Sequence, residues 1–333
     1  MRVAIVILNW NGRALLARNL PALIQHSSNA SLYMIDNAST DDSVAFVQKH
    51  HPEVSCIVLD KNHGFAQGYN IGLQSIDADL YCLLNNDVEV TPHWLDPVCE
   101  EFTKDTTAIA QPLLLDQKNK AWFEYAGAAG GYLDRYGFAY CRGRIFETLE
   151  KNTGQYSQTQ RCFWASGACF FIRAKVWKEL GGFDADFFMH QEEIDLCWRA
   201  FNIGYTTKVI GRSNVYHQGA ASLAPSPQKT YLNHRNTLWM LQKNLPAHNR
   251  FQILFTRLVL DGLAAGHYLL KGASKNLFMV LKAHAHFYWY WTKNENKRKT
   301  PSNGTSHYKV KSIVWNYFLL KKSKFSALKA HKA

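Results

Sequence analysis

The sequence predicts an α/β fold, a mixed and mostly parallel sheet flanked by helices, followed by a basic helical extension. Three observations carry this. Short apolar runs alternate with helically spaced segments through the first hundred residues. Each of those runs ends in a polar turn. The charge also changes character late in the chain: Met1 to Asn233 holds 20 Lys and Arg against 24 Asp and Glu, a net of −4, and His234 to Ala333 holds 18 against 2, a net of +16. With 333 residues there is length for a large core. The boundary is expected near residue 230, with a catalytic-sized domain over 1–230 and the extension over 231–333.

Val3 to Leu8 is a continuous apolar run, as a strand covered on both faces requires. Arg13 to Gln25 carries Leu15, Leu16, Leu20, Leu23 and Ile24 at helical spacing. Leu32 to Ile35 reads as a second strand, Asp41 to His50 as a helix with a Ser/Thr/Asp start, and Val54 to Leu59 as a third strand. Ala66 to Ser75 is expected to be helical and Leu80 to Leu84 a fourth strand. Such alternation predicts a parallel sheet with helices on both sides. The stretch from Thr107 to Gln160 is mixed and loop-rich. Cys162 to Ile172 resembles a strand interrupted by Ser166-Gly167, a helix starts near Ala174 and ends at Gly181-Gly182, and Gln191 to Phe201 is a helix. Thr206 to Ile210 is a strand leading to His217, and from about Tyr231 the pattern becomes helical and basic.

Ligands of open α/β sheets sit beyond the carboxyl ends of the strands. The polar turns fall there: Asn9-Trp10-Asn11-Gly12, Asp36-Asn37-Ala38-Ser39-Thr40-Asp41, Lys61-Asn62-His63-Gly64-Phe65 and Asn85-Asn86-Asp87. Four on one edge suggest a site the size of a nucleotide. Asp87 at a strand end can hold a divalent metal that bridges a diphosphate, or can simply cap a turn. Glu192-Glu193-Ile194-Asp195 is the densest carboxylate cluster. A general base needs a carboxylate in a partly dry pocket, and Glu192 or Glu193 fits that need. Helix-start acids also complement the dipole, and Asp195 with Arg199 at i,i+4 allows a plain ion pair. His217 after a strand is a candidate second metal ligand or a structural histidine.

Some classes are disfavoured. No G-x-G-x-x-G follows the first strand, and no G-x-x-x-x-G-K-[ST] or G-x-S-x-G is present. The seven cysteines are scattered singly with no C-x-x-C pair, which speaks for a reducing compartment and against a zinc knuckle. No signal peptide is evident. Phe251 to Leu270 and Asn276 to Trp291 approach the length of a membrane span, but Arg257, Asp261 and His267 interrupt the first and Lys282, His284 and His286 the second. The basic, aromatic-rich tail calls for an anionic partner or is a solvated face. With Lys271, Lys275, Lys282, Phe278 and the run from Phe287 to Trp291, a phospholipid surface suits it at least as well as nucleic acid, for which no recognised module appears.

In order along the chain, Val6-Ile7-Leu8-Asn9-Trp10-Asn11-Gly12, Asp36-Asn37-Ala38-Ser39-Thr40-Asp41, Asn62-His63-Gly64-Phe65-Ala66, Leu84-Asn85-Asn86-Asp87, Glu192-Glu193-Ile194-Asp195-Leu196 and His217 resemble the family 2 glycosyltransferases. The branch they resemble is that of rhamnosyltransferase-like enzymes of bacterial polysaccharide assembly. The resemblance runs from about Val3 to Asn236. It implies a GT-A, Rossmann-like fold and an inverting transfer of one sugar from a UDP- or dTDP-linked donor to a saccharide acceptor, lipid-linked in such pathways.

By resemblance, Asp36 pairs with the donor's pyrimidine, Asn9 and Asn11 border that base, and Asn37, Ser39, Asn62, Gly64, Asn70, Asn85 and Asn86 complete the nucleotide-sugar contacts. Asp87 matches the last acid of the D-x-D motif, His217 a histidine that completes the shell of Mg or Mn, and Glu193 the general base. Trp164, Ser166, Gly167 and Arg235 fall on the acceptor side. Two positions depart from the pattern: Asn85 stands first in the D-x-D, and the usual E-D pair is Glu192-Glu193. The Q-x-x-R-W of processive synthases is replaced by Tyr231-Leu232-Asn233-His234-Arg235-Asn236, which favours single additions. The implied place is the cytoplasmic face of a membrane. A sugar nucleotidyltransferase is a rival, though Asn9-Trp10-Asn11-Gly12-Arg13 is a poor match to its glycine- and arginine-rich loop. An inactive saccharide-binding scaffold is another, and the retained acids argue against it.

Overall fold

The structure is a computed structural model. It describes residues 1–219, 226–299 and 306–328, so residues 300–305 and 329–333 of the expected extension lie outside the described residues. The first half alternates as its sequence requires: β1 (Val3–Asn9), α1 (Arg13–His26), β2 (Ser31–Asp36), α2 (Ser43–His50), β3 (Val54–Val58), α3 (Gly64–Gly72) and β4 (Leu80–Asn85). After β5 (Val88–Val90), α4 (Asp96–Phe102) and β6 (Thr107–Asp116) come four short strands, β7 (Gly131–Asp134), β8 (Ala139–Cys141), β9 (Arg144–Ile145) and β10 (Thr148–Leu149). Next are β11 (Gln160–Cys162), β12 (Cys169–Arg173), α5 (Ala174–Leu180), α6 (Glu192–Asn202) and β13 (Thr206–His217). The extension contributes α7 (Pro227–Asn244), α8 (Ala247–Leu270), α9 (Ser274–Trp289), α10 (Trp291–Glu295) and β14 (Tyr308–Val310).

The main sheet has the order β11-β13-β6-β12-β4-β1-β2-β3, with β5 added beside β13. β1 lies parallel between β2 and β4, and the helices packed on the two sides of the sheet cover both of its faces. Its side chains alternate between two cores. Val3, Ile5 and Ile7 join Leu16, Leu20 and Leu23 of α1, whereas Ala4 and Val6 join Tyr69 of α3, Leu196 of α6 and Leu238 of α7. β12 runs antiparallel to both β4 and β6, which makes the sheet mixed.

Three elements differ from the sequence reading. The apolar stretch Cys162 to Ile172 is two strands that pair with different neighbours, β11 with β13 and β12 with β4 and β6. The chain crosses between them through Ser166-Gly167, so the interruption marks a change of partner. The loop-rich middle folds into a second sheet, β10-β9-β8-β7-β14, whose last strand comes from the extension. Helix α7 starts at Pro227, before Tyr231, because Ser226 Oγ accepts from Lys229 N at 3.1 Å and proline suits the first turn.

The extension is tied to the body by polar contacts. Asn244 of α7 donates to Asp195 of α6 at 2.8 Å, Asn202 of α6 donates to Asn244 O at 3.1 Å, and Arg257 of α8 donates to Tyr136 O at 3.3 Å. It is braced within itself as well. Asp261 of α8 meets Arg257 at 2.9 Å and His234 of α7 at 3.0 Å. Helix α8 is, by length and composition alone, long and apolar enough to cross a membrane, although only 28% of that stretch is buried within the protein. The charges that interrupt it in sequence, Arg257 and Asp261, both turn inward. All seven cysteines are free.

Candidate active site

The parallel register sets the site. Asn9 and Asp36 are partners at the ends of β1 and β2, and the turns that follow are cross-linked by side chains. Asp36 is buried. Its Oδ1 accepts from Asn9 Nδ2 at 3.1 Å and Ser39 Oγ at 2.6 Å, and its Oδ2 from Ser39 N at 2.9 Å. Ser39 Oγ also accepts from Asn11 N at 2.9 Å. Asn11, at φ 51, accepts from Thr40 N at 2.7 Å. Asn9 Oδ1 receives Asn86 Nδ2 at 3.0 Å, which joins the turn after β4 to the other two. Gly12 makes this possible, since a Cβ there would stand 2.2 Å from Asn86 Nδ2 and 2.3 Å from Asn9 Oδ1.

The turn after β3 joins through Asn37. Its Nδ2 donates to Asn62 Oδ1 at 3.0 Å and to Gly64 O at 3.1 Å, and its Oδ1 accepts from His63 N at 2.9 Å. Gly64 has φ +76, and a Cβ on it would lie 2.5 Å from the Phe188 ring. All four turns therefore form one hydrogen-bonded cradle. Asn70 is not part of it: both its amide atoms bind the backbone of Phe183, at 2.8 and 2.9 Å. Asn85 ends β4, and its N–H donates to Ala168 O at 3.0 Å.

Next to the cradle lies a buried carboxylate–imidazole pair. β5 runs antiparallel to the end of β13 with Val88 opposite His217, which brings Asp87 against the imidazole. Asp87 Oδ1 is 3.1 Å from His217 Nε2, and Glu124 Oε1 is 3.4 Å from His217 Nδ1. All three side chains are buried. The distances are short, yet the alignment is poor: among the described residues, Asp87 Oδ1 and both ring nitrogens lack a well-formed hydrogen bond. Burial would lower the imidazole pKa, but the flanking Asp87 and Glu124 carboxylates hold it up at about 10.

This donor set fits a hard divalent cation. Asp87 Oδ1 and His217 Nε2 would hold it, and because only a neutral imidazole can be a ligand, the cation would displace the proton that the two carboxylates keep on His217. Among the described residues no group of three or more His, Cys, Asp or Glu is placed to hold a metal. Two protein ligands with the rest supplied by substrate oxygens is the usual arrangement for such an ion on a diphosphate.

Helix α6 opens with the acid cluster. Glu192 is buried and its carboxyl pKa is raised well above the ordinary value, first by burial and then by Glu193. Glu193 is half-buried, and desolvation lifts it to about 7 against the pull of backbone N–H groups. Each has one buried oxygen without a partner among the described residues. The pair thus retains a proton near neutrality, and Glu193 is the member a ligand can reach. Phe188 O accepts from Phe65 N and Ala66 N at 3.0 and 3.2 Å, so the turn before α6 rests on the start of α3.

Other expected residues have different occupations. Asp195 is wholly buried and paired with Arg199 at 2.8 Å and Lys243 at 2.9 Å, and it accepts from Asn244 at 2.8 Å. Its partners are structural, and the i,i+4 ion pair is the alternative that the sequence left open. Trp164 and Ser166 point into the core: Trp164 Nε1 donates to Tyr132 O at 3.0 Å, and Ser166 Oγ accepts from Ala168 N at 3.3 Å. A Cβ on Gly167 would touch the Phe65 ring at 3.5 Å, an ordinary van der Waals contact. Arg235 donates to Asp186 O and Phe187 O at 3.1 and 3.2 Å and lies over Trp239. Sequence reasoning missed Glu124, which carries no motif and comes to His217 because its N–H donates to Leu114 O of β6, the strand beside β13, at 2.9 Å. A cavity of about 320 Å³ lies at the far end of α6, lined by Gly182, Asp184, Asn244 and Lys297.

Comparison with known proteins agrees with this fold. An N-acetylglucosaminyl-diphospho-decaprenol L-rhamnosyltransferase of Mycobacterium tuberculosis is 23% identical over 235 residues, which are 63% of this chain and 73% of that enzyme. Residues 1–349 of S. aureus TarS, solved with UDP-GlcNAc, superpose with a TM-score of 0.55 at 14% identity, covering 90% of this chain and 84% of that one. GalNAc-T7, solved with UDP, GalNAc and Mn2+, gives a TM-score of 0.57 at 18% identity over 73% of this chain and 48% of that one, so this chain spans about half its length. These likenesses show the GT-A fold. The model of glycosyl transferase family 2 matches residues 4–181, just over half of the sequence. The chain is a glycosyltransferase of the rhamnosyltransferase-like kind and belongs to glycosyl transferase family 2.

Proposed function

We propose that this glycosyltransferase moves one sugar, with inversion, from a pyrimidine nucleoside-diphosphate donor to a hydroxyl of a lipid-linked saccharide at the inner face of a membrane. The observation that carries the reading is the shared edge, where a hydrogen-bonded cradle adjoins a buried carboxylate–imidazole pair with unsatisfied atoms.

The cradle orients the nucleotide. Asp36, held by Asn9 and Ser39, presents a fixed carboxylate to the base, and Asn11, Asn37, Asn62 and Gly64 shape the wall. Asp87 and His217 would hold a divalent cation, Mg or Mn. When bound, it neutralises charge on the departing diphosphate. Glu193 takes the proton of the acceptor hydroxyl, and that oxygen attacks the anomeric carbon from the face opposite the leaving group. A carboxyl lifted to about 7 suits the task, because its conjugate base is strong enough to accept a proton and still present near neutral pH.

The extension supports a lipid-linked acceptor. Phe251, Phe255, Val259 and Leu263 form an outward row on α8, Leu270 is 88% exposed, and on α9 Phe278, Leu281 and Trp289 are exposed beside Lys275 and Lys282. Apolar rows with lysines at their margins match an anionic lipid surface. A second copy of so basic an extension would repel the first.

The test is transfer to a prenol-linked N-acetylglucosaminyl diphosphate from dTDP-rhamnose or UDP-GlcNAc. Turnover of one donor, reduced about 100- to 10,000-fold in Glu193→Gln, supports the reading. Failure of both donors, or unimpaired Glu193→Gln, contradicts it.

A further inference from the structure

Directly before the Glu192–Glu193 pair the backbone adopts a form that side chains rarely tolerate. Phe188 has φ 64 and ψ −60, and His190 and Gln191 have φ of 68 and 74. Met189 N donates to Phe187 O at 2.8 Å, which closes a three-residue γ-turn of the strained, positive-φ kind. Such geometry persists only where its surroundings over-determine it, and an observed outlier of this kind is a reason to look for function.

Two elements hold this turn. On one side α3 donates two backbone N–H groups to Phe188 O. On the other is Asn236, fully buried in the middle of α7. Its Nδ2 faces three carbonyls at once, those of Phe187, Met189 and His190, at 3.1, 2.9 and 2.7 Å. Its Oδ1 accepts from Arg235 Nε at 2.9 Å, which fixes which end of the amide faces the turn. An amide nitrogen has two hydrogens, so the three oxygens share them. That convergence is possible only because the γ-turn folds the carbonyls inward. An apolar side chain of the same size would fill the space and take that donor from the Met189 and His190 carbonyls, while Phe187 O would keep Met189 N and Arg235.

We propose that Asn236 is a positioning residue for the Glu192–Glu193 pair: it holds the turn at 187–191, and through it the start of α6, where Glu193 can meet an acceptor hydroxyl. The inference rests on the reading of Glu193 as the base. It gives the extension a part in the reaction besides docking, since α7 belongs to the extension and the carboxylates to the sheet domain.

The experiment uses the full chain and turnover of whichever of dTDP-rhamnose and UDP-GlcNAc the wild type consumes. Asn236→Ala and the nearly isosteric Asn236→Asp, which lacks the donor, are compared with Glu193→Gln, Glu192→Gln and the Asn236→Ala/Glu193→Gln double variant. The expected result is a kcat lowered about 100-fold in both Asn236 variants, as for a misplaced reacting group. Donor KM should stay within about twofold. The acidic limb of kcat should move to lower pH as Glu193 becomes hydrated, and the Asn236→Ala loss should vanish in the Glu193→Gln background. Unchanged kcat in Asn236→Asp, an unmoved limb, multiplying losses in the double variant, or failure of both Asn236 variants to fold would each overturn the proposal. Wild-type kcat in both Glu→Gln variants would instead remove the base reading beneath it.

Discussion

Asn9 Nδ2 donates to Asp36 Oδ1 at 3.1 Å across the parallel β1–β2 pair, where the two residues are register partners. The bond fixes a carboxylate at the mouth of the sheet before any ligand arrives. Asp36→Ala should lower UDP or dTDP affinity about 10- to 100-fold, the loss of a hydrogen bond to a charged group, as read by calorimetry with Mn present. An unchanged affinity would take Asp36 out of the base contact.

Asp195 provides a contrast. It neutralises Arg199 and Lys243 inside the protein. Asp195→Ala leaves Arg199 without its carboxylate, while Lys243 keeps Asp184 at 2.7 Å, and should cost about 3 kcal/mol of stability in denaturant melts. A variant as stable as wild type but inactive would restore the chemical role that the acid cluster suggested.

Glu101 sets an acid limit on the fold. Burial alone would raise its carboxyl, yet Lys208 at 2.6 Å, Lys104 at 2.9 Å and Thr107 bring it down to about 2. A depressed carboxyl contributes stability that is full above its unfolded pKa and lost as pH falls from about 4.5 to about 2. Glu101→Gln should therefore destabilise by on the order of 2 kcal/mol at pH 7, with the two melting curves converging only as pH falls to about 2. A gap that stays constant with pH would contradict this.

The outward rows of α8 and α9 should bind vesicles containing anionic phospholipid, less well as salt rises. Phe255→Glu with Leu263→Glu should abolish cosedimentation and leave nucleotide affinity unchanged. Equal binding to neutral vesicles would remove the electrostatic part of the account. A concentration-dependent dimer lost in the same variant would assign the rows to a second copy.

Much of this was legible in the sequence because it is local. A run such as Val3 to Leu8 announces a doubly covered strand, and the turn after it must lie at the strand's end, so Asn9, Asp36, Asn62 and Asp87 fall on one edge before any contact is known. What stayed hidden depends on partners far along the chain. The resemblance puts Trp164 and Ser166 on the acceptor side, but the interruption in their segment marks a change of partner strand, and both turn into the core. Arg257 and Asp261 read as breaks in an apolar helix, although each neutralises the other within the protein. The resemblance makes Asn70 a nucleotide-sugar contact, and its amide instead pins α3 to Phe183. Glu124 and Asn236 gave no signal, since their value lies in the atoms they face.

The central claim is that a cation at Asp87 and His217 joins a nucleotide diphosphate to the cradle. Calorimetry of UDP and dTDP, each with and without Mn, on the wild type, Asp87→Ala and Glu193→Ala tests it directly. The account predicts binding of one nucleotide that requires Mn, disappears in Asp87→Ala and survives in Glu193→Ala. Binding that ignores Mn and persists in Asp87→Ala, or no binding of either nucleotide, would contradict it.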